Sequence, residues 1–274
     1  ATIVVAPAAA LLSPLIPPHA LELGTLHLKV GAEYPPDEIV SHLTDCGFER
    51  VPTVDGLGQL SMRGGILDIY PFGTEYPFRI EFFGDEIESI RHFDVSTQRS
   101  SGNCDEARLL PTREVVLCSP FYEDYSQRLA GNKEHAKALE PLRDQFELGG
   151  ALEGIEGHMA MLYGRDNGLF EYLAEPLTFF EEGDDLYVEV EKTVARPQKE
   201  YERHGDRDSL IPPLELMRDG DWLKGRLAAC PHLTPAPVGR AAEAVQFNAS
   251  EVRTYEGELA PLRKEIDRLA DDDY

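Results

Sequence analysis

The sequence predicts a mixed α/β fold of about two domains, with an antiparallel sheet in the first half of the chain and helices dominating the second half. Its 274 residues fit about two domains of ordinary size. Residues 48–95 form short apolar runs separated by glycine-containing turns, which is typical of an antiparallel meander. Beyond residue 111, apolar residues recur at the spacing of helix faces.

The beginning of the chain predicts a strand–turn–helix unit of an α/β layer. Residues 2–6 are mostly β-branched and predict a buried strand. Small residues at 8–12 predict a helix, which Pro17 and Pro18 are expected to end. A buried strand is a poor place for a natural chain start, so we expect this sequence to be a piece of a longer protein.

Residues 26–30 predict a second strand, and a capped helix is expected to follow it. Asp37 is the expected N-cap of a helix that runs through Cys46. Gly47 is expected to close this helix in the left-handed conformation, which glycine adopts without steric cost.

The middle of the chain predicts five short strands joined by tight turns, most of which contain glycine. Their spacing favours consecutive antiparallel pairing. The predicted strands are residues 49–54, 59–63, 66–70, 78–83 and 86–93.

The second half predicts long helices with two strands that return to an α/β sheet. The predicted helices are residues 122–149, 189–204, 214–228 and 257–271. The predicted strands are residues 186–190 and 245–248. The acidic runs at 181–185 and 271–273 are expected to be solvated turns or helix ends.

Composition narrows the possible functions. Asp and Glu number 50 against 26 Lys and Arg, a formal net charge of −24. Because binding to nucleic-acid phosphates depends on Lys and Arg, this charge excludes a nonspecific nucleic-acid binder. Prolines break the apolar stretch at 3–18, so we expect it to be neither a membrane span nor a signal peptide. We therefore expect a cytoplasmic protein. Reduced thiols without zinc-ligand spacing are expected at Cys46, Cys104, Cys118 and Cys230.

The common catalytic and cofactor motifs are missing from the sequence. It contains no phosphate-binding P-loop, no HExxH zinc motif, no GxSxG nucleophile elbow and no dinucleotide fingerprint. The glycine pair Gly56 and Gly58 joins two predicted strands and has no helix behind it to receive an anion. We therefore expect no catalytic residues, no metal and no bound cofactor in this chain.

The predicted strand at 78–83 has an unusual second face. Its alternation places Phe78, Ile80 and Phe82 on one face, and Arg79, Glu81 and Phe83 on the other. A charged pair beside a phenylalanine indicates either a face covered by another part of the chain or a surface for a protein partner. Arg63, on the predicted strand that leads into the Gly64–Gly65 turn, is expected to reach the same face across the sheet. Interfaces concentrate binding energy in Arg and aromatic residues.

Three segments of this region carry a resemblance to a known family. The match is strong over 39–100, moderate to residue 173 and weak thereafter. The segments are GFERV at 47–51, MRGGILDIYP at 62–71 and YPFRIEFFGDEIESIR at 76–91. Together they resemble the second domain shared by the excision-repair protein UvrB and the Mfd family of transcription-repair coupling factors. The flanking sequences at 93–100, 110–114 and 154–173 are similar to the Mfd family.

The resemblance implies a partial, degenerate helicase-like α/β domain with an inserted small antiparallel-β (α+β) UvrA-binding domain and a mixed, helix-rich subdomain. The implied divisions are 1–24 as a remnant of the first (1A-like) domain, 25–110 as the UvrA-binding-like domain, 111–231 as a 1B-like subdomain, 232–249 as a return to the first domain and 250–274 as the start of the next.

The resemblance also implies a partner and the residues that meet it. The family's UvrA-contacting residues match Arg63, Arg79 and Phe83, and Glu81 shares their strand face. On this basis Arg63 and Arg79 would present guanidinium groups to carboxylates on UvrA, while Phe83 would fill an apolar recess. In the family this surface is masked until the motor engages stalled RNA polymerase. RNA polymerase, double-stranded DNA, ATP and magnesium belong to other domains of the family's proteins, so this chain is expected not to hydrolyse ATP.

Two alternatives stay open at the level of sequence. One is a UvrB-like, ATP-dependent helicase module that binds damaged DNA, although UvrB's phosphate loop and tyrosine-bearing hairpin are not seen in this sequence. The other is a purely structural module whose Arg–Phe face packs within the chain. Binding of ATP by this chain would identify the helicase module. A titration of the chain with a partner protein would identify the structural module, which should not bind.

Overall fold

A computed structural model describes residues 3–118, 121–148, 152–179, 183–233 and 263, with only the backbone at 183–185. Contacts divide the chain into Ala1–Thr234 and Pro235–Tyr274, and every element described below lies in the first unit. The predicted strand at 245–248 lies outside the described residues, as do nearly all of the predicted helix at 257–271 and the acidic side chains of 181–185.

Two short helices open the described chain, α1 (Ala8–Leu12) and α2 (Pro18–Gly24). The predicted helix at 8–12 is confirmed. Pro18 begins α2 instead of ending α1, since a proline in the first turn loses no helical hydrogen bond. The predicted buried strand is wrong for residues 3–6: no described strand lies alongside them, and Val5 is 92% exposed.

Strand β1 (Leu26–Lys29) and helix α3 (Pro36–Asp45) follow. Asp37 is not the N-cap, because Pro35 occupies that position and Asp37 lies in the first turn, where its charge complements the helix dipole. The end of α3 is as predicted. Gly47 has a φ of +95°, its N–H donates to the Thr44 carbonyl (3.0 Å), and the next N–H donates to the Leu43 carbonyl (2.9 Å).

A six-stranded sheet forms the centre of the first half, with its strands in chain order. The strands are β2 (Glu49–Arg50), β3 (Gln59–Arg63), β4 (Ile66–Tyr70), β5 (Phe78–Phe83), β6 (Glu86–Phe93) and β7 (Ser100–Cys104). The predicted bounds of β3, β4, β5 and β6 are confirmed. The first strand is shorter than predicted and runs parallel to β3 rather than antiparallel.

Two strands in the first half of the chain were not predicted from the sequence. Strand β7 contains no large apolar residue and pairs antiparallel with β6. Strand β8 (Glu106–Leu109) pairs antiparallel with β1 in a separate two-stranded ribbon. A backbone ladder, more than apolar burial, holds β7 in place, so alternation of hydropathy does not reveal it.

One face of the sheet packs against a hydrophobic core. Helix α3 contributes Ile39, Val40 and Leu43 to the core beneath the sheet, and β1 contributes Leu28. The sheet side of this core includes Leu60, Leu67, Ile69, Phe78, Ile80, Phe82, Ile87 and Ile90. Because these side chains alternate along their strands, residues between them project from the opposite face.

The described second half is mainly helical. Its helices are α4 (Phe121–Gly131), α5 (Ala136–Leu148), α6 (Met159–Tyr163), α7 (Gly183–Arg203), α8 (Pro213–Leu216) and α9 (Gly220–Ala229). Short 3-10 helices occupy Ile155–His158, Leu169–Tyr172 and Arg207–Ser209. Strands β9 (Thr178–Phe179) and β10 (His232–Leu233) pair in parallel. Among the described residues, no helix combines the length and apolar character needed to cross a bilayer.

The helical predictions that fall on described residues are correct in type and less so in extent. The predicted helix at 122–149 is interrupted at residues 132–135, and the one at 214–228 is divided before Asp219, whose side chain accepts the Trp222 N–H (2.8 Å). The predicted strand at 186–190 is wrong, since these residues lie inside α7. Leu186 and Val190 are four apart and pack into one apolar cluster, which is helical spacing.

The closing turn of α3 generates a prediction about stability. Gly47→Ala and Gly31→Ala should each lower the free energy of unfolding by about 1–2 kcal/mol, because alanine is strained at positive φ. Gly47→Ala should cost about 1–3 kcal/mol more. Its Cβ would lie 2.5 Å from Arg113 Cγ and 2.7 Å from Thr112 Oγ1, whereas nothing lies within 4 Å at Gly31. Urea unfolding of both variants measures the difference, and equal losses would contradict this packing account.

Candidate protein-interaction site

The register of the sheet brings the predicted residues onto one surface. Arg63 is opposite Ile66, which is opposite Glu81 on β5. Two residues away along β4 and β5, and therefore on the same face, Asp68 is opposite Arg79. We call the face defined by Arg63, Asp68, Arg79, Glu81 and Arg91 the polar face.

A buried carboxylate, Asp68, lies at the centre of the polar face. Its side chain is fully buried and accepts three hydrogen bonds from two arginines. Arg79 donates from Nε to Oδ1 (2.6 Å) and from Nη2 to Oδ2 (2.9 Å), a bidentate pair, while Arg63 donates from Nη2 to Oδ2 (2.6 Å). Bidentate, charge-assisted contacts of this kind fix both partners in orientation as well as in distance.

The remaining donor atom of Arg79 also binds within the chain. Its Nη1 donates to the Gln98 carbonyl (3.0 Å) and to Ser100 Oγ (3.3 Å), and its guanidinium carbon lies 4.8 Å from the centre of the Phe93 ring. Only 15% of the side chain is exposed. Hydrogen bonding to Asp68 raises the pKa of Arg79 above its usual value, so Arg79 stays protonated. Each guanidinium nitrogen of Arg79 has a partner within the chain, and a direct contact of Arg79 with UvrA stays a prediction.

The loop that receives Arg79 is itself held in an uncommon conformation. Gln98 has a φ of +57°, which costs a residue with a side chain free energy unless its surroundings compensate. Its Nε2 donates to the carbonyls of Val54 (3.1 Å) and Val95 (2.8 Å). Asp94 accepts from the Thr97 N–H (2.7 Å) and from Ser96 Oγ (2.6 Å), and these bonds lower the pKa of Asp94 to about 2. The loop is thus built to hold the Gln98 carbonyl against Arg79.

Glu81 also has partners within the sheet. Its carboxylate pairs with Arg91 on β6 and accepts a hydrogen bond from Ser89 Oγ (2.9 Å). The side chains of Glu81 and Arg91 are 28% and 34% exposed, so both reach the surface although each is paired. This pair adds ordered charge to the polar face.

Phe83 and Arg63 are the exposed members of the predicted set. Phe83 ends β5 and is 80% exposed, and the Arg63 side chain is 50% exposed although it contacts Asp68. The two lie at the same end of the sheet. The Phe82 N–H on β5 donates to the carbonyl of Gly65 in the β3–β4 turn (2.8 Å), which brings this turn next to the end of β5. A Cβ at Gly65 would lie 2.8 Å from the Phe82 carbonyl oxygen, so glycine permits this close approach.

Sequence reasoning missed the residue that organises this surface. Asp68 is the one acidic residue within the predicted strand at 66–70, between two fully buried side chains, Leu67 and Ile69. A lone acid in such a strand indicates a buried pairing partner, since buried carboxylates are almost always paired. Its partners come from β3 and β5, and only the register identifies them.

The buried carboxylate generates a second stability prediction. Asp68→Asn should lower the free energy of unfolding by about 3–5 kcal/mol, because it leaves two guanidinium groups together without their anion. Glu88→Gln, an exposed carboxylate on β6, is the matched control and should change stability by less than about 0.5 kcal/mol. Chemical denaturation of the two variants tests this. Similar, small effects of both would show that Asp68 does not organise the face.

A family model matches the part of the chain that carries this face. The model for the UvrB interaction domain matches residues 26–115, which contain β1 through β8, α3 and every residue of the polar face. The match therefore includes both the core beneath the sheet and the exposed surface above it.

Curated relatives extend the similarity beyond that domain. The chain is 29% identical to the transcription-repair-coupling factor of Haemophilus influenzae over 83% of this chain and 20% of the relative, and 29% identical to that of Escherichia coli over 79% and 19%. It is 39% identical to the transcription-repair-coupling factor of Bacillus subtilis over 43% of this chain and 10% of the relative. The chain spans about a fifth of the length of the first of these relatives. The chain is thus similar to transcription-repair-coupling factors over most of its length, and residues 26–115 match the UvrB interaction domain.

Proposed function

We propose that the chain is the protein-interaction module of a transcription-repair coupling factor, and that it recruits UvrA to stalled RNA polymerase in nucleotide excision repair. The similarity to transcription-repair-coupling factors supports a role in transcription-coupled repair. The residue pattern of the polar face supports UvrA as the partner. The contact surface on this chain is the end of the polar face, made of Arg63, Ile66, Glu81 and Phe83.

The exposure of Phe83 is the observation that carries the proposal. A phenylalanine that is 80% exposed leaves most of its ring in water, and its full burial in a partner contributes about 1.5–3 kcal/mol. Next to Glu81, in the adjacent strand, lies Ile66, which is 37% exposed and extends the apolar area. Apolar anchors surrounded by oriented charges are the usual composition of an interface hot spot.

Arg63 and Arg79 have different parts in this proposal. Arg63 is half exposed, and the single hydrogen bond it makes to Asp68 leaves other donor nitrogens to meet a carboxylate of UvrA. Arg79 acts as a positioning residue: its fork is bound to Asp68, and it links β4, β5 and the loop before β7. Arg79→Glu would place a second carboxylate beside a buried one, so its effect on binding would not separate contact from folding.

The larger organisation is part of the same proposal. Residues 1–24 and 232–249 would belong to a degenerate helicase-like α/β domain, 25–110 to the inserted UvrA-binding domain and 111–231 to a 1B-like subdomain, with 250–274 starting the next domain. ATP, magnesium, DNA and RNA polymerase would engage other parts of the full-length protein. The common naming of the curated relatives favours this function over a UvrB-like helicase module.

Calorimetric titration of the chain with UvrA tests the interaction site. Phe83→Ala should raise the dissociation constant by about 10–100-fold, the equivalent of losing the burial of one aromatic side chain. Its effect should be nearly independent of salt, because the side chain carries no charge. The folded state should be unaffected to within about 0.5 kcal/mol, since Phe83 is mostly exposed.

The control and the alternatives are read from the same titration. Phe179→Ala removes a phenylalanine that is 68% exposed and lies outside the polar face, so UvrA affinity should not change. Equal losses from Phe83→Ala and Phe179→Ala, or none from either, would exclude the polar face as the contact surface. Binding of ATP or damaged duplex by the unmodified chain would favour the helicase alternative.

A further inference from the structure

A cluster of two thiols and an imidazole lies away from the polar face, at the end of α3. His42 and Cys46 are four residues apart on this helix, and Cys118 comes from the segment that leads toward α4. The three potential ligand atoms, a ring nitrogen of His42, Cys46 Sγ and Cys118 Sγ, all lie within 4.8 Å of one another. This cluster has no part in the proposed interaction site.

Backbone hydrogen bonds hold the two segments of the cluster together. The Thr112 N–H donates to the Cys46 carbonyl (3.0 Å), and the Leu117 N–H donates to the Asp45 carbonyl (3.3 Å). The last residues of α3 and the chain before Cys118 are therefore paired on both sides of the thiols. The ligands are positioned by backbone and need no rearrangement of the fold to meet.

The distance between His42 and Cys46 matches that between two ligands of one tetrahedral zinc ion. Zinc–sulfur and zinc–nitrogen bonds of about 2.3 and 2.0 Å place a thiolate and an imidazole nitrogen about 3.5 Å apart at a tetrahedral angle. His42 Nε2 and Cys46 Sγ are 3.5 Å apart. The Gly24 carbonyl oxygen lies 3.1 Å from His42 Nε2 and 3.4 Å from Cys46 Sγ, which makes it a candidate for the fourth ligand.

The two thiols of the cluster are shielded from solvent. Cys46 is fully buried and Cys118 is 6% exposed, so bulk water has little access to either sulfur. Sulfur and imidazole ligands together select zinc and similar thiophilic ions over magnesium or calcium.

We propose that His42, Cys46 and Cys118 form a binding site for a thiophilic divalent cation, Zn²⁺, with the Gly24 carbonyl oxygen in the fourth position. The ion would join α2, α3 and the segment before α4 through side chains in addition to the existing backbone hydrogen bonds. It would be a structural site, because three protein side chains and a backbone oxygen fill the tetrahedral coordination and leave no open position for a substrate.

Metal titration of the reduced, metal-free chain tests this proposal. Zinc content after gel filtration should be one ion per chain, and Co²⁺ should give the charge-transfer absorption of thiolate ligation. Cys118→Ser should weaken Zn²⁺ binding by more than the roughly 10–100-fold that losing a supporting residue costs. His42→Asn, which alters a partly exposed side chain, gives the same test if a serine variant does not fold.

Cys104→Ser and Cys230→Ser are the matched controls, since both remove thiols outside the cluster. These variants should keep the stoichiometry and the Co²⁺ spectrum of the unmodified chain. The proposal is overturned if the reduced chain binds no stoichiometric Zn²⁺, or if the control variants lose binding as much as Cys118→Ser does. It is also overturned if Cys46 and Cys118 are recovered as a disulfide from a chain that binds no metal after reduction.

Discussion

The polar face depends on the pairing of one buried carboxylate with two guanidinium groups. Without Asp68, Arg63 and Arg79 would be like charges on β3 and β5, the two strands that flank β4, and each would need another anion or solvent. With it, Arg79 is fixed over Phe93 and bound to the Gln98 carbonyl, which anchors the loop before β7. The same carboxylate therefore orders the surface and the outer edge of the sheet. A surface already ordered in the free chain loses less entropy on binding a partner.

The longer strands that bury alternate residues were predictable, and strands that are short or polar were not. The bounds of β3 through β6 follow from apolar alternation and glycine turns in the sequence. Strand β7 was not predicted because its residues are small and mostly polar. The parallel pairing of β2 was not predicted because the local sequence pattern does not say in which direction a strand runs relative to its neighbour. In α7 the apolar residues Leu186 and Val190 fit either period over a short window, and the packing of the whole helix decides between them.

The site shows the same division between local and non-local information. Alternation along 78–83 was enough to separate Phe83 and Arg79 from the core, and the exposure of Phe83 agrees with it. What Arg79 does depends on Asp68, and the thiol cluster depends on Cys118 meeting His42 and Cys46. Both require contacts between segments that are distant in sequence, so a pattern read along one strand or helix does not supply them. The four-residue spacing of His42 and Cys46 was the only local signal of the cluster.

Site-specific photocrosslinking tests the central claim most directly, because it reports contact rather than affinity. A benzoylphenylalanine replaces Phe83 in one sample and Phe72, 46% exposed and outside the polar face, in another. Irradiation with UvrA should give a covalent adduct from position 83 and little or none from position 72. Adducts of equal yield from both positions, or from position 72 alone, would contradict the claim that the end of the polar face is the surface that meets UvrA.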